Sequence, residues 1–558
     1  MQSSTLAKRG WILLFLIIAG FYLYGLGAFP LVGPDEPRYT EVAREMLARG
    51  ELITPTLGGL PWFEKPPLLY WLIMASYRVF GVSEYAARFG AAVCALLTGA
   101  AVFWIGRQVE TSEKKLHSAL AERREANNGF RFWSALIFLS SGGAIVFARG
   151  ASFDIVVTMT ITLALAFFFA SEIDRESGSK NRTVLLAGFY SLIGLSLLAK
   201  GLVGIVVPFG VIGFYFIFRR QRPARQFLLS LLWGLPLATG LAAVWYGPMI
   251  ARHGWIFIDQ FIVQHHFARF VTAKYHHPQP FYFYFTILPL LALPWTIFFL
   301  SALVGARRWN WRGRSSRDRL RVFSVAWIVV PVVFFSLSKS KLPAYILPVL
   351  PAVALLTGDR LSELLRRANG RLAMRVTGAL AILVALAGGH YATRMLGVTA
   401  TCAGLSVIPV MLGGVFVLFW PRLRAASVLL VAAGVLVACA IAIECGAPIV
   451  TRRYTVRDLI QTANARGYGA APVVQLHSTE RTAEFYAAGR LTYGADGEPI
   501  KFEGVNQVAE AARRSTGPVL VIVPLEYEWQ LLQSRLPIQT EVIGDNGRTA
   551  IVVVRIQS

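Results

Sequence analysis

WILLFLIIAGFYLYGLGAFP (Trp11–Pro30) runs straight into LVGPDEPRYTEVAREMLARGELITPTLGGLPWFEKPPLLY (Leu31–Tyr70), and the junction between them decides how the chain is read. The first stretch is apolar over a length that crosses ~30 Å of hydrocarbon as a helix. It is too long for a signal peptide, has no small-residue cleavage site and is followed by more apolar runs, so it reads as a retained first span. The second stretch packs Asp35, Glu36, Arg38, Glu41, Arg44, Glu45, Arg49, Glu51, Glu64 and Lys65 between apolar neighbours. Charge at the edge of a bilayer is costly unless it is paired or employed, which makes this segment a candidate site. An amphipathic helix on the membrane surface accounts for Thr40–Arg49. It leaves Asp35 and Glu64-Lys65, which sit among prolines and aromatics, unexplained.

Outward from this junction, apolar runs recur almost to residue 446. The 558 residues are 55% hydrophobic and 15% charged, with a mean hydropathy of +0.54, whereas soluble domains carry ~25% charged residues. The expected fold class is an α-helical polytopic membrane protein. Its net charge is +24, yet from Ala447 onward 12 Lys+Arg face 11 Asp+Glu, so the excess lies in the loops between spans. That is the positive-inside pattern, with anionic headgroups as further contacts, and not a nucleic-acid face. Cys94, Cys402, Cys439 and Cys445 fall in or beside apolar runs without CxxC spacing, so neither a disulfide framework nor a thiolate metal site is expected.

Alternating apolar runs and basic loops predict about 13 spans in residues 1–446. The N-terminus is placed in the cytoplasm, and loops 31–82 and 251–280 lie outside. Loop 31–82 is expected to carry two short helices along the membrane face. An odd span count puts residues 447–558 outside as well, where strand and helix patterns alternate as in a small α/β domain. Its strands are expected at Pro472–His477, Pro518–Pro524 and Ala550–Ile556. Helices are expected at Tyr454–Arg466, Arg481–Arg490, Asn506–Arg514 and Glu526–Leu536. Glu480, Arg481 and Glu484 read as a helix surface. No fixed-period repeat and no paired broken helices are evident.

The unusual polar residues collect on one face. Asp35, Glu36, Arg38, Glu64, Lys65, Asp154, Lys200, His265, His266, Arg269, His276, His277, Lys339, Lys341 and Tyr345 all map to external loops or span ends, as expected of a membrane-interface active site. Asp35, fixed between Gly33-Pro34 and Pro37, suits a general base or a metal ligand. Lys65 suits a phosphate, with a local pair to Glu64 as the alternative. Asp154 is either a helix N-cap or a substrate contact. Glu64 with His265 and His266 is a candidate site for a divalent metal such as zinc, although adjacent histidines seldom ligate one ion.

GPDEPRYTEVAREML (Gly33–Leu47) and WFEKPPLLYW (Trp62–Trp71) strongly resemble the first external loop of the lipid A aminoarabinose transferases, bacterial C-type glycosyltransferases of the inner membrane. QHHFARF (Gln264–Phe270), HHPQPFYFY (His276–Tyr284) and SKSKLPAYILPVLPA (Ser338–Ala352) resemble later external segments of the same family. The resemblance implies transfer of 4-amino-4-deoxy-L-arabinose from undecaprenyl phosphate to a lipid A phosphate at the periplasmic face, giving resistance to polymyxin and cationic antimicrobial peptides. By the same resemblance Asp35 is implied to be the catalytic acidic residue of the first loop, Lys65 to contact the donor phosphate and Asp154 to be a second functional aspartate. Arg38, Glu64, Lys200, His266, Arg269 and Tyr345 are implied to bind substrate. The loop departs from the family pattern at Gln264-His265, where an acidic residue is expected before the histidine. The expected partners are the two lipids, with no nucleic acid, and the expected state is a monomer. Two rivals stand beside this reading. A related transferase would use another polyprenyl-phosphate sugar or modify protein, and a lipid flippase would place its charges nearer the mid-bilayer.

Overall fold

The computed structural model describes residues 2–119, 129–173, 181–268, 279–367, 370–420, 424–494 and 497–557. Among them, nine helices are long and apolar enough to cross a membrane. The number is ten if Phe283–Leu291 and Thr296–Arg308, bent by 117° at a break, count as one span. Arg9–Leu23, Phe130–Leu139 and Val203–Arg219 are apolar but shorter. Length and composition therefore do not reach the expected 13. The first apolar stretch leaves its helix after Leu23. The apolar run Phe132–Val146 breaks at Ser140-Ser141, whose hydroxyls bond back to the carbonyls of Leu136 and Phe138. Such back-bonding competes with the helical ladder.

The first loop forms two helices, Asp35–Arg49 and Leu68–Phe80. Asp35 and Glu36 favour a helix start because they face its positive dipole end, and Pro37 is tolerated in a first turn. Between the helices, Thr56–Leu57 pairs antiparallel with Leu60–Pro61. The turn residues Gly58 and Gly59 have φ of 61° and 77°, as a two-residue hairpin with both central residues left-handed requires. Glu45 holds the turn by accepting from Thr56 Oγ1 and the amides of Gly58 and Gly59.

The last apolar helix continues past Ala447 to Arg452. Beyond it lies a mixed five-stranded sheet. Its strands run in the order Lys501–Phe502, Val473–Leu476, Val519–Pro524, Thr549–Ile556 and Ile538–Asp545; the first three are parallel and the last two pairings antiparallel. The apolar run PVLVIVP is explained by burial on both faces. Leu520 and Ile522 pack with Leu459 and Ile460, while Val521 and Val523 pack with Val508 and Leu531. Two strands escaped the sequence reading. Lys501–Phe502 is two residues long, and Ile538–Asp545 is a half-exposed edge strand whose polar alternation lacks a core signature. The expected helices Arg481–Arg490 and Glu526–Leu536 shorten to Ala483–Tyr486 and Glu528–Leu532.

One expectation about cysteine is overturned. Cys402 and Cys445 form a disulfide although 43 residues separate them. They lie near the start of Ala400–Phe419 and the end of the next helix, so an antiparallel pair brings them together without any local spacing signal. This end of the pair is level with the exit of the first helix, where Gly25 lies against Ile443.

Candidate active site

Asp35 and Glu36 are neighbours with different surroundings. Glu36 is buried and accepts both arms of the fully buried Arg88, at 2.7 and 2.9 Å, together with the amides of Val32 and Ala151. Arg88 also donates to the carbonyls of Leu26, Phe29 and Pro30. Every strong donor in this pair is satisfied, so it pins the start of the loop helix to two other segments. Asp35 is exposed, and among the described residues its carboxylate makes no hydrogen bond or ion pair.

One turn along the same face, Tyr39 is buried against Phe153 and Tyr70, with ring centroids 4.8 and 6.3 Å away. Burial raises its phenol well above the ordinary range, and the carboxylates of Asp35, Glu64 and Asp154 add to that effect. Three acids from three separate segments thus act electrostatically on one phenol.

Asp154 is not the N-cap of helix Phe153–Ile173. That role falls to Ser152, whose Oγ accepts from the Asp154 amide at 3.1 Å. The Asp154 carboxylate instead forms an ion pair with Lys200, each side chain 18% exposed. Lys200 ends helix Asn181–Lys200 and lies 4.9 Å over the ring of Tyr345. Tyr345 packs in turn on Phe335 at 5.3 Å. Three positions predicted separately, Asp154, Lys200 and Tyr345, therefore form one unit. Lys339 is exposed, whereas Lys341 is buried and donates to the carbonyls of Ser338 and Gln279.

Glu64 and His265 approach to 3.9 Å, and Lys65 beside Glu64 is half-buried. Zinc is held by three or four protein ligands. Among the described residues no group of three or more His, Cys, Asp or Glu side chains is placed to hold a metal, so these two donors alone do not make a zinc centre. The side chain of His266 and the whole of Arg269, His276 and His277 lie outside the described residues. His253 is a further imidazole at this end, bonded through Nε2 to Thr54 Oγ1 at 2.9 Å.

Arg38 reveals what sequence reasoning missed. Its guanidinium lies 4.9 Å over Trp62, and its Nε donates to Glu484 at 3.4 Å. Glu484 is no surface residue: its side chain is 0% exposed. The segment around it covers the first loop. Arg44 donates to the Phe485 carbonyl, Tyr486 Oη accepts from the Leu31 amide and donates to Glu84, and Tyr493 lies on Gly58. The amphipathic stretch Thr40–Arg49 is accordingly buried at Thr40–Ala43 and Met46, and only Ala48 and Arg49 are exposed. The only local signal was a glutamate set between alanine and phenylalanine.

A family model described as dolichyl-phosphate-mannose-protein mannosyltransferase matches residues 9–308, more than half of the chain and every candidate above except those from Ser338 onward. The chain belongs to this family. Among its relatives is an undecaprenyl phosphate-alpha-4-amino-4-deoxy-L-arabinose arabinosyl transferase of Edwardsiella ictaluri, 32% identical over 389 residues, covering 68% of this chain and 64% of that protein. The enzyme of the same name from Aeromonas hydrophila is 32% identical over 373 residues, covering 66% and 62%. The matched region thus spans less than two thirds of these relatives' own length. The fold is that of ArnT from Cupriavidus metallidurans, solved bound to undecaprenyl phosphate: the TM-score is 0.79 at 22% identity, over 98% of both chains. The chain thus has the helical membrane architecture expected from its sequence.

Proposed function

We propose that the protein is a glycosyltransferase that moves 4-amino-4-deoxy-L-arabinose from undecaprenyl phosphate to a phosphate of lipid A, and so confers resistance to polymyxin and cationic peptides. One observation carries the chemical reading: Asp35 is exposed and unpaired among the described residues, while the acids that converge with it are engaged, Asp154 by Lys200 and Glu64 by His265. The relatives' names support the substrates.

The chemistry follows from the charges. Breaking the sugar–phosphate bond develops negative charge on the leaving phosphate, which fixed cations stabilise. Arg38, Lys65 and Lys200 are the candidate cations for this role. The acceptor phosphate is already ionised at neutral pH, so Asp35 orients it or stabilises positive charge on the sugar without acting as a strong base. The amino group of the pentose finds a carboxylate in Glu64 or Asp154. A divalent metal at Glu64 and His265 would need a third ligand, for which His266 is the candidate in sequence.

The site is assigned to the periplasmic face of a bacterial inner membrane. A polyprenyl-phosphate donor is the activated sugar suited to a compartment without nucleotide sugars. The Cys402–Cys445 disulfide supports the same orientation, because such bonds persist in the periplasm and not in the reduced cytosol.

Mass spectrometry of lipid A from cells with and without the protein tests the substrates. A gain of one aminopentose unit is expected, and an unchanged lipid A would sink the reading. In a purified assay, Asp35→Asn is expected to lower kcat by roughly 10²–10³-fold, as removing one fixed electrostatic stabiliser does. Intact transfer by a folded variant would remove Asp35 from the chemistry.

A further inference from the structure

Arg38 is the cation nearest to Asp35 in the chain, and only one of its three nitrogens is engaged. Nε donates to Glu484, while neither Nη has a hydrogen bond among the described residues. Trp62 covers the flat face of the guanidinium, and Glu64 acts on it electrostatically. A guanidinium fixed through Nε and stacked on an indole presents its two Nη as a rigid fork, the geometry that grips a phosphate. Glu484 is fixed in its turn. Its other oxygen accepts from Arg481 at 2.9 Å, and Arg481 also pairs with Glu498. The Arg44 bond to the Phe485 carbonyl anchors the backbone next door.

From this chain of contacts we infer that Glu484 is a positioning residue of the transfer site, holding Arg38 so that its Nη fork faces the phosphate of the lipid donor. The segment after the last span thereby completes a binding site whose other residues come from the helical part. The inference rests on the proposed function in one respect, that the anion gripped is a polyprenyl phosphate.

A double-mutant cycle on the full-length protein, with undecaprenyl phosphate itself as the ligand, tests it. Glu484→Gln keeps the shape and removes the charge, and is expected to weaken binding about tenfold, as losing a charge-assisted contact does. In an Arg38→Ala background the same change is expected to add less than about twofold, because a residue acting through Arg38 has nothing left to act on. A merely structural role for Glu484 gives equal losses in both backgrounds, which would overturn the inference. If Glu484→Gln lowers the melting temperature, Arg481→Gln loosens Glu484 without touching Arg38 and the cycle is run with it; a loss confined to the Arg38 background supports positioning, and an equal loss refutes it. Wild-type protein that does not bind undecaprenyl phosphate would overturn the functional reading and this inference together. Wild-type binding with an additive cycle would overturn this inference alone.

Discussion

Removing the charge of Glu36 leaves Arg88 buried without its counter-ion, whereas removing that of Asp35 disturbs no protein contact among the described residues. Glu36→Gln is therefore expected to destabilise the protein by about 3–5 kcal/mol, the cost of breaking a buried pair. Asp35→Asn should stay within about 0.5 kcal/mol, as an exposed substitution does. Thermal unfolding of the two variants checks the contrast, and equal melting temperatures would refute it. Both residues were visible in PDEPRY, but their division of labour was not. Arg88 lies 52 positions from Glu36, and nothing local marks it as the partner. Asp154, Lys200 and Tyr345 were each legible as polar residues at span ends, while their assembly into one contact depends on how three helices pack.

The contact between helix Asp35–Arg49 and the segment around Ala483–Tyr486 buries two carboxylates, and this gives the interface a pH dependence. Burial raises the Glu41 carboxyl from 4.5 to about 8; Arg44 lowers it in part, and Glu45 and Glu484 raise it further. Tyr77 also faces it. Glu484 is shifted in the same direction, chiefly by burial, with Arg38 and Arg481 opposing and Glu498 adding. Between 4.5 and about 8 the folded chain holds a proton that the unfolded chain has released, so stability falls as pH rises through that window and levels off above it. Melting temperatures across this range should show the decline, and Glu41→Gln should flatten it; an unchanged slope in the variant would assign the effect elsewhere. The hairpin offers a second test of the same contact. A Cβ on Gly58 would lie 2.1 Å from the Tyr493 ring, so Gly58→Ala is expected to cost about 1–3 kcal/mol through overpacking. Limited proteolysis near Tyr493 should accelerate. At this scale the sequence marked the loop helices well, because Gly, Pro and charge punctuate them. It marked the helix of the cover but not its burial, because nothing near Glu484 in the sequence shows that Arg38, 446 positions away, is its partner.

For the whole molecule, the apolar runs located the membrane helices, and the change of composition near Ala447 located the sheet. The number of spans was less legible because breaks at Ser140-Ser141 and between Leu291 and Thr296 divide apolar sequence without changing its hydropathy. Orientation has a direct test. Thr516 and Arg367 are both exposed, the first near the sheet and the second at the far end of the helix that begins beside Tyr345. Thr516→Cys should react in whole cells with a maleimide that does not cross the inner membrane, and Arg367→Cys only after the membrane is broken. The reverse pattern would invert the assigned topology.

The Cys402–Cys445 bond also records history. Its two sulfurs flank a pair of helices, so they meet only once both helices have formed and packed antiparallel. A chain stopped before the second helix of the pair has formed cannot close the bond. The bond is thus a timestamp of the completed pairing of these two helices, readable as a shift in alkylated mass.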